Sequence, residues 1–382
     1  MKNRYFDLID QSFYFPSFGF SLQENNLNFY GIPLMEVIEK FGTPLKLTYL
    51  PKIGEQIQKA RKHFAGAMKK ANYKGKYHYC YCTKSSHFSF VMNEVLKNKG
   101  QLETSSAFDM DLAWHLYEQK LINKKTFIIC NGYKLDNYIR KIADFINEGF
   151  ENIIPIMDSL EELDQYEKYV KRPFQIGIRI ASEEEPNFEF YTSRLGVRYR
   201  DIVPYYERKI AGNSRYKLKM LHFFINTGIK DDAYYWTELN KCIGVYCDLK
   251  KICPELDSFD IGGGFPVPNS LSFDYDYEYM TNEIVQNIKQ ICDSNGVDEP
   301  NIFTEFGSFT VAESGAALYS IVSEKQQNDA EKWFMIDSSF ITTLPDTWGI
   351  GQRFILLAVN HWDKDYQKVN LGGLTCDSQD YY

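Results

Sequence analysis

The chain has 382 residues, enough for one α/β barrel plus a smaller domain, or for two to three small domains. With 44% hydrophobic and 25% charged residues the composition is globular, which excludes a disordered chain, a fibre or a coiled coil. The 43 Lys+Arg against 51 Asp+Glu leave a net charge of −8, the wrong sign for a nucleic-acid binder.

Strand-like runs rich in β-branched and aromatic residues recur along the middle of the chain. They fall at 76–83, 101–106, 126–131, 152–158, 174–180, 217–225, 257–261 and 301–305. Amphipathic helical stretches separate most of them: 87–100, 107–121, 136–150 and 159–171 follow the first four. Eight strands with intervening helices is the rhythm of a (β/α)8 TIM-like barrel, expected over 50–307. Outside it, 27–32 and 45–50 flank one helical stretch, 33–41, and the C-terminal part offers 317–325, 333–339 and 354–362 as strand-like pieces. Segments 1–49 and 308–382 are therefore expected to join into one β-rich domain.

No apolar run approaches the roughly 20 residues of a membrane helix. Asp7 and Asp10 stand where a signal peptide needs an apolar core, so a cytoplasmic protein without membrane partners is expected. None of the eight cysteines forms a CxxC pair, so no metal site is expected. Seven read as buried reduced thiols; Cys376 is the exception.

In a barrel, function lies at the C-terminal ends of the strands. The first strand ends in Lys84, where an amine can form a Schiff base because partial desolvation lowers its pKa. The seventh runs into Asp260-Ile-Gly-Gly-Gly-Phe-Pro266, whose glycines let backbone N–H groups approach a phosphate. The eighth ends in Thr304-Glu-Phe-Gly-Ser308, and a buried Glu305 beside a phosphate requires a cation such as a protonated pyridine nitrogen. Amine, phosphate nest and carboxylate are the three handles of pyridoxal 5′-phosphate.

With these residues in view, the chain resembles the barrel-type, alanine-racemase-like pyridoxal-phosphate decarboxylases. Five family motifs occur in order: Y-x-x-K at Tyr81–Lys84, S-[KR]-[FL]-G at Ser193–Gly196, GGG-F-P at Gly262–Pro266, E-x-G at Glu305–Gly307 and C-D-S at Cys376–Ser378. Leu221–Ile225 and Thr343–Gln352 look most like biosynthetic arginine decarboxylase, as do Thr83–Val91 and Leu102–Asp109. The resemblance implies that Lys84 carries the cofactor, Glu305 pairs with the ring nitrogen, and Gly262, Gly263 and Gly264 hold the phosphate. His222, Phe224, Thr227, Gly307 and Ser308 complete the cofactor-binding set.

The same resemblance implies that Cys376 protonates Cα from the partner subunit of a homodimer. Asp377 would bind the cationic end of the substrate, L-arginine, with Asp346 as a second carboxylate. Three departures stand out. Phe224 occupies the place of the family's stacking histidine, with His222 two residues earlier; Ser308 replaces a phosphate-binding arginine; and the family continues with more β-structure beyond the point reached at Tyr382. Competing expectations are decarboxylation of ornithine, lysine, diaminopimelate or carboxynorspermidine, and a non-catalytic regulator of the antizyme-inhibitor kind.

Overall fold

The eight expected strands close into one parallel barrel in a computed structural model that describes residues 19–183, 193–270 and 273–382. They are β1 (Tyr77–Cys82), β2 (Gln101–Thr104), β3 (Ile128–Cys130), β4 (Ile153–Met157), β5 (Phe174–Ile180), β6 (Tyr216–Phe223), β7 (Ser258–Asp260) and β8 (Asn301–Glu305). Their neighbours in the sheet follow chain order, and β8 pairs with β1 to close it, Glu305 lying opposite Cys80. Cys80, Ile129, Ile154, Ile156, Met220 and Phe303 pack into a buried core cluster. Strands so covered on both faces read as apolar runs rather than alternating ones, which is why composition found them more readily than periodicity.

Helices α1 (Leu50–Ala71), α2 (Ser89–Lys97), α3 (Ala107–Glu118), α4 (Asp136–Glu148), α5 (Glu162–Tyr169), α6 (Tyr199–Tyr205), α7 (Ala233–Ile252) and α8 (Tyr277–Asn295) alternate with the strands. Local chemistry sets their starts. Ser106 caps α3 by accepting from Asp109 N, while the Asp109 carboxylate accepts from Ser105 N at 3.0 Å. Asp232 caps α7 through Tyr235 N at 2.8 Å. Several strands are shorter than expected: the second stops at Thr104 and the sixth at Phe223. Phe224 and Thr227 therefore stand on the loop leaving the sheet, where functional groups of a barrel belong.

The chain divides into two compact units, one of Leu50–Pro266 and Tyr275–Val311, the other of Met1–Tyr49, Val267–Asp274 and Ala312–Tyr382. In the second, Leu45–Thr48 pairs antiparallel with Gly315–Leu318, one strand from each side of the barrel segment. A meander of Phe20–Gln23, Asn26–Phe29 and Ile32–Pro33 and a sheet of Ile321–Gln326, Lys332–Ile336 and Asn370–Gly372 complete it.

The expected strand at 354–362 is not one. Ile355, Leu357 and Val359 do turn inward, onto the core of Leu27, Phe29, Leu34, Leu318 and Trp362. The backbone, however, enters no ladder, although Leu27 N of the strand Asn26–Phe29 bonds to Val359 O at 2.7 Å. Alternation reports which side faces a core; pairing needs a neighbouring backbone as well.

Candidate active site

The first barrel strand delivers Lys84 on a single 3-10 turn, Thr83–Ser85. The Tyr81 hydroxyl donates to Ser86 O at 2.7 Å and the Thr83 hydroxyl to Glu103 O at 3.0 Å, fixing the turn at both ends. Gly307 gives it room: a Cβ there would run into the Ser85 hydroxyl and meet Cys82 Cβ at 3.1 Å. Lys84 Nζ lies 2.8 Å from Glu103 Oε2.

Glu103 is wholly buried on β2. The Asn131 amide, directly after β3, donates to Glu103 Oε1 at 3.2 Å and to Glu305 Oε1 at 2.7 Å. Glu305 Oε2 lies 3.1 Å from His222 Nε2, on β6. One connected polar chain therefore runs Lys84–Glu103–Asn131–Glu305–His222 through the barrel end. Asp260 sits beside His222 in the β6–β7 register, fully buried, its Oδ1 accepting from Gly262 N at 2.8 Å.

Charges in so dry a place are set by their neighbours. Lys84 is the exposed member of the group, its side chain 58% accessible; what desolvation it has opposes the ammonium, but Cys82 and the carboxylates of Glu103 and Glu305 outweigh it, and its pKa is raised. The expected lowering is thus reversed: the expectation counted desolvation and not the acid on the next strand. Burial pushes Glu103 up, only partly offset by Lys84. Burial opposes ionisation of Glu305 too, but His222, Lys84 and Asn131 prevail, and its carboxyl is held below the ordinary range. Asp260 is driven far up, by burial first and then by Glu305.

The glycine run is a close backbone passage. Gly262 and Gly264 have φ of +68° and +106°. A Cβ at Gly262 would meet Phe223 O at 2.8 Å, and one at Gly264 would meet Gly228 Cα at 2.8 Å. Ile229 N bonds to Gly264 O at 2.9 Å, tying the loop after β6 to the run. On that loop the Thr227 hydroxyl is buried without a partner. The Phe224 ring is half-buried, and the Arg179 guanidinium lies 5.8 Å from its centroid. Ser308, exposed, opens the short helix Ser308–Val311.

The barrel unit thus gathers Lys84, His222, Phe224, Thr227, Gly262, Gly263, Gly264, Glu305, Gly307 and Ser308. Cys376, Asp377 and Asp346 belong to the other unit. Cys376 is an exposed thiol, whereas the other seven cysteines are buried and free, as expected. Asp377 Oδ1 accepts from Gln379 N at 2.8 Å, and Asp346 stands exposed in the first turn of Pro345–Gly349. Glu103, Asn131 and Asp260 were not among the expected site residues. Each is a polar residue at the C-terminal end of an apolar strand, and that position was the available signal.

An amine, a buried carboxylate and a glycine cradle at one barrel end define the barrel class of pyridoxal-phosphate enzymes. The match to a family confirms it: the model for the pyridoxal-dependent decarboxylase, pyridoxal binding domain, covers residues 51–312, and the chain belongs to that family. Curated relatives include a biosynthetic arginine decarboxylase of Citrifermentans bemidjiense, 25% identical over 80% of this chain and 50% of its own length. Another is biosynthetic arginine decarboxylase 2 of Synechocystis, 24% identical over 78% of this chain and 50% of its own. The chain spans about half the length of these relatives.

Among solved structures, the biosynthetic arginine decarboxylase of Campylobacter jejuni superposes with a TM-score of 0.79 at 18% identity, over 95% of this chain and 76% of that one. A diaminopimelate decarboxylase from M. jannaschii, in complex with L-lysine, gives 0.78 at 18%, over 95% and 82%. They share the fold. No helix among the described residues is long and apolar enough to cross a membrane.

The family's cofactor brings an aldehyde, a phosphate and a ring nitrogen. The barrel end offers a primary amine, an unpartnered buried hydroxyl at Thr227 beside a cradle that side chains would fill, and an ionised buried carboxylate. The donor set fits the group.

Proposed function

We propose that this chain holds pyridoxal phosphate at the barrel mouth and decarboxylates L-arginine to agmatine and CO₂, a reaction of polyamine biosynthesis. The observation that carries the reading is the single hydrogen-bonded cluster joining Lys84 to Glu305, next to the glycine cradle. Lys84 supplies the amine for the cofactor's aldehyde. The glycine run Gly262–Gly264 would receive the phosphate, Gly262 shaping the turn with its own amide held by Asp260 and Gly263 and Gly264 offering theirs, with Thr227, Gly307 and Ser308 beside them, and Glu305 would keep the ring nitrogen protonated. Phe224 and His222 border the ring.

When bound, pyridoxal phosphate supplies a conjugated ring that accepts the electron pair left as CO₂ departs. Cys376 carries the proton to Cα. Asp377 and Asp346 grip the planar guanidinium with paired bonds that an ammonium cannot reciprocate. Arginine as substrate is supported by the names of the curated relatives and by the segments 221–225 and 343–352. Lysine and diaminopimelate are alternatives, raised by solved neighbours that include a lysine decarboxylase from Selenomonas ruminantium and the diaminopimelate decarboxylase above.

The test is a side-by-side assay of arginine, ornithine and lysine by released CO₂, with kcat/KM for arginine expected to lead by about tenfold to a hundredfold. A lead for either other amino acid overturns the substrate. Absence of a visible-edge absorbance band bleached by borohydride overturns the enzyme reading in favour of a regulator. The Cys376 loop is proposed to act in the partner copy of a homodimer. Mixing inactive Lys84→Ala and Cys376→Ala chains should then restore up to about a quarter of the activity, because one site of a mixed dimer is intact. No recovery after demonstrated subunit exchange counts against sharing.

A further inference from the structure

Three carboxyl groups lie buried in the barrel-end cluster, and two are provided for. Glu103 has Lys84 and Asn131, and Glu305 has Asn131 and His222. Asp260 has the Gly262 amide on Oδ1, while its buried Oδ2 receives no bond from any nitrogen or hydroxyl. This carboxyl faces both Glu305 and His222: one polar atom of each of the three residues lies within 4.8 Å of the other two. Two ionised carboxylates so close and so dry repel strongly, and a buried oxygen without a partner is costly besides. A proton on Oδ2 removes both problems.

We infer that Asp260 is the positioning residue of this site, a neutral carboxyl that donates to Glu305 through Oδ2 while holding Gly262 through Oδ1. Glu305 N in turn donates to Gly262 O at 2.9 Å, so the peptide units around Gly262 are gripped from both sides. The ring-nitrogen carboxylate and the phosphate cradle thereby form one rigid piece. Asp260 also keeps Glu305 ionised, the state that a protonated ring nitrogen needs. The surrounding groups agree. Glu305 on β8 and Glu103 on β2 both disfavour a charge on Asp260, and the Cys80 thiol on β1 is itself held neutral by burial. His222 on β6 is committed to Glu305.

The role toward the cofactor rests on the reading proposed above; the protonation of Asp260 does not. Asparagine is the isostere of a protonated aspartate: its carbonyl accepts from Gly262 and its amide donates to Glu305. In the full chain without cofactor, the infrared difference between the unaltered protein and Asp260→Asn near neutral pH should show the carbonyl band of a protonated carboxylic acid. Carboxylate bands alone overturn the inference. Titration with pyridoxal phosphate should give Asp260→Asn a Kd and an absorbance pH profile within about threefold of the unaltered chain, and Asp260→Ala a Kd weaker by about tenfold or more. An Asn variant as damaged as the Ala variant overturns the positioning role. Should Asp260→Ala fail to fold, the Asn variant and the infrared band decide. Failure of the unaltered chain to take up pyridoxal phosphate sinks the cofactor reading and the positioning role with it, while the infrared band still decides the proton.

Discussion

The barrel mouth and the 373–382 segment both carry residues assigned to chemistry, and they are held in opposite ways. At the mouth, Glu103, Asp260 and Glu305 are buried at strand ends, each placed by a ladder and by a neighbour on another strand. In the other segment Cys376 and Asp377 are exposed, and one buried carboxylate, Asp380, organises the turn beneath them. It accepts from Phe340 N at 2.8 Å, Thr375 N at 3.1 Å and the Thr375 hydroxyl at 2.7 Å. The first arrangement fixes electrostatics before any ligand arrives; the second fixes a backbone and presents exposed side chains from it. Substitutions in the two regions should therefore fail in different currencies.

The largest effect is expected at Lys84. Lys84→Ala should lower turnover by about 10³-fold or more, as losing a covalent anchor does. Borohydride reduction followed by peptide mapping should place the pyridoxyl label on Lys84 in the unaltered chain, and a label elsewhere breaks the assignment. Next comes Glu305→Gln, which keeps the shape and removes the charge. A fall of about 10²-fold in turnover is expected, on the scale of a lost electrostatic partner; unchanged turnover would refute the role.

In the exposed segment the damage should be confined to substrate. Asp377→Asn is expected to cut kcat/KM for arginine by about tenfold to a hundredfold while leaving the cofactor's absorbance intact. Loss of the absorbance band would erase the contrast between the regions. The smallest effect belongs to Asp380. Burial opposes its charge, but bonds from Thr375, Phe340 and Ile341 prevail, so its folded pKa lies below the ordinary aspartate value. A depressed pKa stabilises the fold above the unfolded value of about 3.9, and that contribution fades as pH falls through the folded one. Protection of 373–382 against hydrogen exchange, taken relative to the intrinsic rate at each pH, should therefore fall below about pH 4. Asp380→Asn should abolish that acid dependence, at a cost of about 1–2 kcal/mol.

The barrel was legible because eight apolar runs with helices between them leave few alternatives, and Lys84, the glycines and Glu305 stood out as candidates because motifs mark them. What stayed hidden was partnership. The segment containing Glu103 was noticed for its resemblance, yet nothing in one strand's sequence says that its carboxylate meets a lysine on the neighbouring strand. The same blindness produced the wrong direction for the Lys84 pKa. Asn131 touches acids on β2 and β8, a relation that exists only once the barrel closes. The strand expected at 354–362 failed for the complementary reason: its side-chain pattern was right, but no sequence announces which backbone will lie alongside.

The pairing of Leu45–Thr48 with Gly315–Leu318 bears on how the molecule is made. The earlier strand leaves the ribosome before any barrel residue, and its partner follows only after Glu305, the last residue of β8. At translation rates of about 5–20 residues per second, the first strand waits on the order of ten seconds or more with one edge unpaired. Through that interval the barrel strands emerge in the order in which they lie side by side, β1 beside β2 and onward. The flanking sheet can close only late in the synthesis of each chain, and until then the edge of Leu45–Thr48 is open to a chaperone or a neighbouring nascent chain.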